Sequence, residues 1–129
     1  MGQQQLLLIV LGVIVVGIAV VVGINLFNAN AEESAKDGVV SDCTNLGAMA
    51  QQFYKKPLSM GGGGNTFNTG GPSGAGFEIP ASLVSTANGT YAATPSGTNC
   101  VIVGTPIETS YAWTVTTTVT PDSIQSVVN

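Results

Sequence analysis

The sequence has little charge and no histidine. Only 8% of its residues are charged, the net charge is −4, and the cations are Lys36, Lys55 and Lys56. Without an imidazole, histidine-dependent catalytic triads and metal sites are excluded. Without clustered Lys and Arg, nucleic acid is not an expected partner, because phosphate binding needs concentrated positive charge. No Gly-x-Ser-x-Gly nucleophile elbow occurs either. We therefore predict no catalytic residues, metal site or cofactor, and no enzymatic activity.

Cysteine is also scarce, since Cys43 and Cys100 are the only two. In a chain with a membrane-type segment, both are expected on the oxidising side, where they would form one disulfide. That bond would close a loop of about 57 residues and add roughly 3–4 kcal/mol of stability. The alternative is a pair of buried free thiols. A zinc site is not expected, because two cysteines without a histidine cannot supply the four ligands of a structural site.

Apolar residues are plentiful but unevenly spread. Residues 6–24 contain only Leu, Ile, Val, Ala and Gly. As a helix this run is about 28 Å long, close to the thickness of a bilayer core. A cleaved secretory signal would suit the small residues at 29–31, but the run is too long and lacks a basic flank. An ordinary transmembrane anchor has the right length, but no Lys, Arg, Trp or Tyr flanks the run on its short side.

The third interpretation starts from the opening sequence MGQQQLLLIVLGVIVVGIAVVVGI. It resembles the start of a mature type IV pilin, with an N-terminal helix of the class III type. The resemblance implies removal of a leader by a dedicated peptidase, residence in the membrane, and then packing against copies of itself in a filament core by the pilus assembly machinery. The residues expected to carry this assembly are Met1, Gln5, Leu6, Leu7, Leu8, Ile9, Val10, Leu11, Val13, Ile14, Val16, Ile18, Val20, Val21 and Ile24.

Two features depart from the pilin pattern. Gln5 stands where the family usually has a glutamate. Its amide oxygen can accept a hydrogen bond from a neighbouring N-terminal amine but cannot neutralise that amine. The helix-bending proline of the family is absent as well. Gly12, Gly17 and Gly23 either permit local unwinding in its place or provide small contacts for close helix packing. The sequence favours neither role of these glycines.

Beyond residue 24 the pattern becomes amphipathic. Apolar residues recur at spacings of three and four, which predicts a helix that Pro57 ends. Lys55 and Lys56 lie in its last turn, where cations suit the helix dipole. The first region is therefore 1–56, with 1–24 as membrane or filament core and 25–56 as amphipathic helix. The stripe consists of Ala35, Val39, Cys43, Leu46, Ala50 and Phe53.

The remaining chain divides into a glycine-rich surface loop, 57–76, and a small antiparallel β head, 77–129. The loop would cover the helix or contact the next subunit. The β head is expected to have three or four strands, packed by one face on the amphipathic helix. Residues 77–80 and 83–84 would form a short helical turn or a further strand. Strands are expected at 91–94, 99–104 and 109–120.

Two local patterns lie in the β head. In the last expected strand, Tyr111, Trp113, Val115, Thr117 and Val119 alternate with small or polar residues and should share one face. Asn88-Gly89-Thr90 matches the N-glycosylation sequon, but Asn-Gly is also a hairpin-turn signal. Both interpretations of Asn88 remain open.

The fold class expected is α+β: a long N-terminal helix packed against a small antiparallel sheet, as in pilins. The function expected from the resemblance is that of a structural subunit of an extracellular type IV pilus-like filament. Its partners would be copies of itself, the membrane before assembly, the leader peptidase and the assembly machinery. Its location would be the inner membrane and then the cell surface. The alternatives are a membrane-anchored periplasmic or extracellular binding domain, or a pseudopilin of a secretion system.

Overall fold

The computed structural model describes residues 2–129. Helix α1, Gly2–Lys55, comes first and is followed by a single 3₁₀ turn, Leu58–Met60. Four strands complete the chain, and α1 packs against their sheet. The predicted α+β class, a long N-terminal helix with a small antiparallel sheet, is therefore confirmed. The strands are β1 Gly89–Pro95, β2 Cys100–Pro106, β3 Val115–Val119 and β4 Ile124–Val128.

The chain forms two compact units, divided after Ser34. In the N-terminal unit the helix carries exposed side chains on every face as far as Ala31. It passes through Gly12, Gly17 and Gly23 without a break, and a Cβ added at any of the three would meet nothing within 4 Å. Local unwinding at these glycines is therefore absent from this helix.

The C-terminal unit, 35–129, contains the hydrophobic core. The predicted helical stripe supplies its helix side, with Val39, Cys43, Leu46 and Ala50 buried. Gly47 lies on the same side, and a Cβ added there would stand 3.1 Å from the side chain of Val119 on β3. Glycine at this position therefore lets α1 approach the sheet closely.

The sheet is an antiparallel meander in the order β1-β2-β3-β4. On β3, the buried Val115, Thr117 and Val119 alternate with half-exposed threonines, as the sequence predicts. The strand begins at Val115 rather than at residue 109, because 109–110 form a turn. Residues 77–80 and 83–84 form no strand, and a turn covers 81–83. Strand β4 had no counterpart among the expected strands.

The glycine-rich loop closes the end of α1. The N–H of Gly63 donates to the carbonyl of Phe53 at 2.8 Å, and the N–H of Asn65 donates to that of Tyr54 at 2.8 Å. These bonds satisfy carbonyls that the end of a helix leaves without partners. Phe67, from the same loop, is fully buried in the core. The expectation of a surface loop is therefore wrong for this part, because the loop contributes a core residue.

Backbone geometry explains why this loop needs glycine. Gly70 has φ +80° and Gly76 has φ +113°, a region that side chains rarely adopt. A Cβ on Gly70 would also collide with the carbonyl oxygen of Gly62, and one on Gly76 with that of Phe67. The loop is thus a tightly folded backbone structure.

Candidate assembly surface

Within residues 2–129, the apolar side chains expected to drive assembly lie on the surface of α1. Those from Leu6 to Ile24 are 53–71% exposed, and Gln5 is exposed as well. Met1 lies outside the described residues. No charged residue occurs before Glu32. The structure therefore brings the expected residues together as one uncharged helical surface.

This surface continues further than the sequence analysis proposed. Leu26 is 61% exposed and Phe27 is 74% exposed, although Asn25 interrupts the apolar run before them. Both residues are apolar and lie in the same helix, so their sequence already indicated that they extend the surface. We call the exposed apolar side chains from Leu6 to Phe27 the assembly surface.

The same segment has membrane-like character. Within α1, an 18-residue window reaches a mean hydropathy of 3.3, and none of that window is buried. By length and composition the helix is therefore able to cross a membrane. Chemically, the surface offers dispersion contacts and the removal of apolar area from water, without hydrogen bonds or charge.

The predicted disulfide is wrong, because Cys43 and Cys100 are both free. Cys43 lies over Gly104, where an added Cβ would stand 2.8 Å from its sulfur. Gly104 is four residues along β2 from Cys100. Because a strand rises about 3.3 Å per residue, the Cα atoms of Gly104 and Cys100 are about 13 Å apart. A disulfide needs Cα atoms within about 7 Å. The alternative, two buried free thiols, is what the structure shows.

Burial also makes these thiols unreactive. It raises the pKa of the Cys100 thiol to about 11. Burial raises the pKa of Cys43 too, and a hydrogen bond with Thr117 offsets only part of that effect. Oxidation and metal binding require the thiolate, which such groups rarely form at neutral pH.

A polar cluster joins α1 to the start of the β head. Asp42 Oδ2 accepts hydrogen bonds from Tyr91 Oη at 2.5 Å, Thr86 Oγ1 at 3.0 Å and Asn88 Nδ2 at 3.0 Å. Bonds to an ionised carboxylate are stronger than those between neutral groups. Asp42 therefore holds the turn before β1.

The electrostatics of the cluster follow from these bonds. Partial burial by itself raises the pKa of Asp42, but the hydrogen bonds from Tyr91, Asn88 and Thr86 outweigh it, so the pKa lies below its ordinary value. Burial and the Asp42 carboxylate together raise the pKa of Tyr91. A pocket of about 160 Å³ lies beside the cluster, and Leu83 forms part of its wall.

Asn88, the possible glycosylation residue, is part of this cluster. Its Nδ2, the atom that would carry a glycan, donates to Asp42. Its side chain also packs at Gly38, where an added Cβ would stand 2.8 Å from Asn88 Oδ1. Asn88 lies in a turn that the N–H of Thr86 closes by donating to the carbonyl of Gly89 at 2.9 Å. Glycosylation at Asn88 stays a prediction.

Among residues 2–129, no group of three or more His, Cys, Asp or Glu could hold a metal ion. Comparison with known proteins gives no match: no family model, curated protein or solved structure is similar to the chain.

Proposed function

We propose that this protein is a structural subunit of an extracellular, type IV pilus-like filament and polymerises through its assembly surface. The observation that carries the proposal is the contrast between this surface and the core. The core of the C-terminal unit is complete within residues 35–129. From Leu6 to Phe27, by comparison, the helix exposes apolar side chains on all sides.

The size of the exposed surface supports polymerisation. Monomeric soluble proteins rarely expose an apolar patch larger than a few hundred Å². Full burial of one large apolar side chain contributes about 1.5–3 kcal/mol. Burying a handful of such side chains on each partner would therefore offset an association cost of about 4–15 kcal/mol. Self-association outside a membrane is thus energetically reasonable for this helix.

The distribution of the surface favours a filament over a closed dimer. Because apolar residues surround the helix, one neighbour cannot cover them all. Contacts with several copies, repeated without closing into a ring, generate an open helical polymer. Before assembly the same helix would lie in the inner membrane. The leader peptidase and the pilus assembly machinery are the partners that this route requires.

A second candidate is a membrane-anchored binding domain outside the cytoplasm. The hydropathy of α1 favours it equally, and the pocket beside Asp42 offers a place for a small ligand. A pseudopilin of a secretion system is the intermediate case, in which the polymer is short. All three share the membrane helix and differ in whether copies assemble.

Electron microscopy of material sheared from cells without detergent tests the proposal. We expect uniform thin filaments that contain this chain. Recovery of the chain solely from detergent-solubilised membranes, with no filaments, would contradict the proposal and favour the anchored domain.

A further inference from the structure

The two edge strands of the sheet, β1 and β4, differ in how their outer backbone groups are occupied. In an antiparallel sheet, alternate residues of an edge strand direct N–H and C=O toward the neighbouring strand, and the residues between them direct these groups outward. Outward groups without partners are a template for another strand, so proteins usually cover or interrupt such edges.

The β1 edge is covered. The outward N–H of Tyr91 donates to the carbonyl of Val84 at 2.8 Å, and the outward carbonyl of Gly89 accepts from the N–H of Thr86 at 2.9 Å. Pro95, at the end of the strand, has no N–H to offer. Another strand therefore cannot pair along the full length of β1, where Ala93 alone keeps both outward groups free within residues 2–129.

The β4 edge is open. The N–H of Asn129 donates to the carbonyl of Thr114 at 2.8 Å, which fixes the alternation between β3 and β4. It follows that Ile124, Ser126 and Val128 direct their N–H and C=O groups outward. Within residues 2–129 no hydrogen bond satisfies these groups. The strand contains neither proline nor charge, so it lacks the devices that protect β1.

We propose that the β4 edge binds a second copy of this chain, by antiparallel pairing of β4 with β4 centred on Ser126. In this register Ser126 faces itself and Ile124 faces Val128 of the other copy. The pairing continues the sheet from four strands to eight. It goes beyond the filament proposal, because it requires only the β head and holds whether or not the assembly surface polymerises.

The properties of the strand argue for a second copy as the occupant. No charged residue lies between Ser123 and Asn129, so two copies place no like charges opposite each other, which would destabilise the pair. Asp122 lies just beyond the paired segment. Val127 is 51% exposed and Val128 is 43% exposed, and pairing would cover part of both. A two-fold contact of this kind joins one patch to itself.

Disulfide trapping in the full-length chain tests this pairing. Ser126→Cys places two sulfurs opposite each other at a Cα separation of about 5.5 Å, within the range that a disulfide accepts. Thr94→Cys, exposed on the covered β1 edge, is the matched control for random collision and for helix-driven association. Thr117 Oγ1 is hydrogen-bonded both to Ser126 Oγ, at 2.8 Å, and to the Cys43 thiol, so Cys43 lies near position 126. Each variant therefore also carries Cys43→Ala and Cys100→Ala, so that no native thiol can compete. Both variants are oxidised in detergent, with micelles in excess over protein, and dimer is quantified on a non-reducing gel.

We expect at least tenfold more disulfide-linked dimer for Ser126→Cys than for Thr94→Cys. Adding Val128→Pro removes one outward N–H without touching the bonds to β3, and should return the dimer yield to the control level. Circular dichroism and the melting temperature verify that this variant stays folded. Equal dimer yields for the two cysteine variants, or a yield that Val128→Pro leaves unchanged in a folded protein, would overturn the proposal. Filament formation is scored separately, so the two proposals fail independently.

Discussion

Val10 and Val39 are the same residue in the same helix, yet Val10 is 55% exposed and Val39 is fully buried. Both residues have helical backbone conformation within α1. The difference arises because Val39 packs against Gly104 of β2, whereas Val10 has no such neighbour in residues 2–129. The comparison shows that a helical backbone decides only where side chains point. In the proposed function, lipid or further copies of the chain would cover the N-terminal unit.

The glycines of α1 extend this comparison. Gly47 in the C-terminal unit lies against side chains of β3 and β4, so its lack of a Cβ has a use within the chain. Gly12, Gly17 and Gly23 have open space around them. Since unwinding is absent there, their proposed use is close packing of helices between copies.

The largest effect is expected from a charge in the assembly surface. Ile14→Arg places an unpaired cation where copies would pack, and burying such a charge without a partner costs several kcal/mol. We expect complete loss of sheared filaments. The matched control is Ile107→Arg, because Ile14 and Ile107 are 53% and 56% exposed. Filaments that persist with Ile14→Arg, measured by electron microscopy and pelleting, would contradict the assembly role.

The next largest effect is a difference in stability between alanine variants of two phenylalanines, one buried and one exposed. Phe67→Ala removes a fully buried ring and should lower the free energy of unfolding by about 3–5 kcal/mol. Phe27→Ala alters a ring that is 74% exposed, so the melting of the C-terminal unit should not change. Thermal denaturation followed by near-ultraviolet circular dichroism measures both. Equal melting temperatures for the two variants would show that the glycine-rich loop is not part of the core.

A substitution of Asp42 should have a smaller effect on the free energy of unfolding, and this effect should depend on pH. The folded-state pKa of Asp42 lies below the ordinary value of 3.8, so the stabilisation is complete above that value and is lost as the pH falls through the folded-state pKa. Asp42→Asn should cost about 1–3 kcal/mol at neutral pH and flatten the acid limb of the stability curve. Urea unfolding between neutral pH and pH 2 tests this. Asp37→Asn, which removes an exposed carboxylate from the same helix, is the matched control for the loss of one negative charge.

The smallest effect expected is that of a reductant. Because Cys43 and Cys100 are free and far apart, reduction should not shift the melting temperature. A thiol reagent should modify neither cysteine in the folded protein and both in denaturant. A mass that is two hydrogens short before reduction would reveal a disulfide and contradict the structure.

Some of this fold was predictable because it depends on periodic burial. The helical stripe through Val39, Cys43 and Leu46 and the alternation along β3 both report one buried face. Strand β4 could not be found in this way, because most of its side chains are exposed and its sequence does not alternate clearly. Only pairing with β3 reveals it.

Other features depend on contacts that spacing does not encode. The distance between Cys43 and Cys100 is set by which residue of β2 lies opposite the helix, so the cysteine count led to the wrong pairing. The role of Asp42 requires Thr86, Asn88 and Tyr91 to meet it from a distant part of the sequence. Phe67 stands alone among glycines and polar residues, where no period could indicate that it is buried.

The glycine-rich loop has a practical consequence for anyone who modifies this protein. Its composition suggests a flexible linker into which a peptide could be inserted. Its backbone instead closes α1 and positions Phe67, with glycines whose φ angles other residues rarely adopt. An epitope tag or displayed peptide placed there would unfold the C-terminal unit. The exposed turn at 107–110, which carries no core side chain, is the better place to insert foreign sequence.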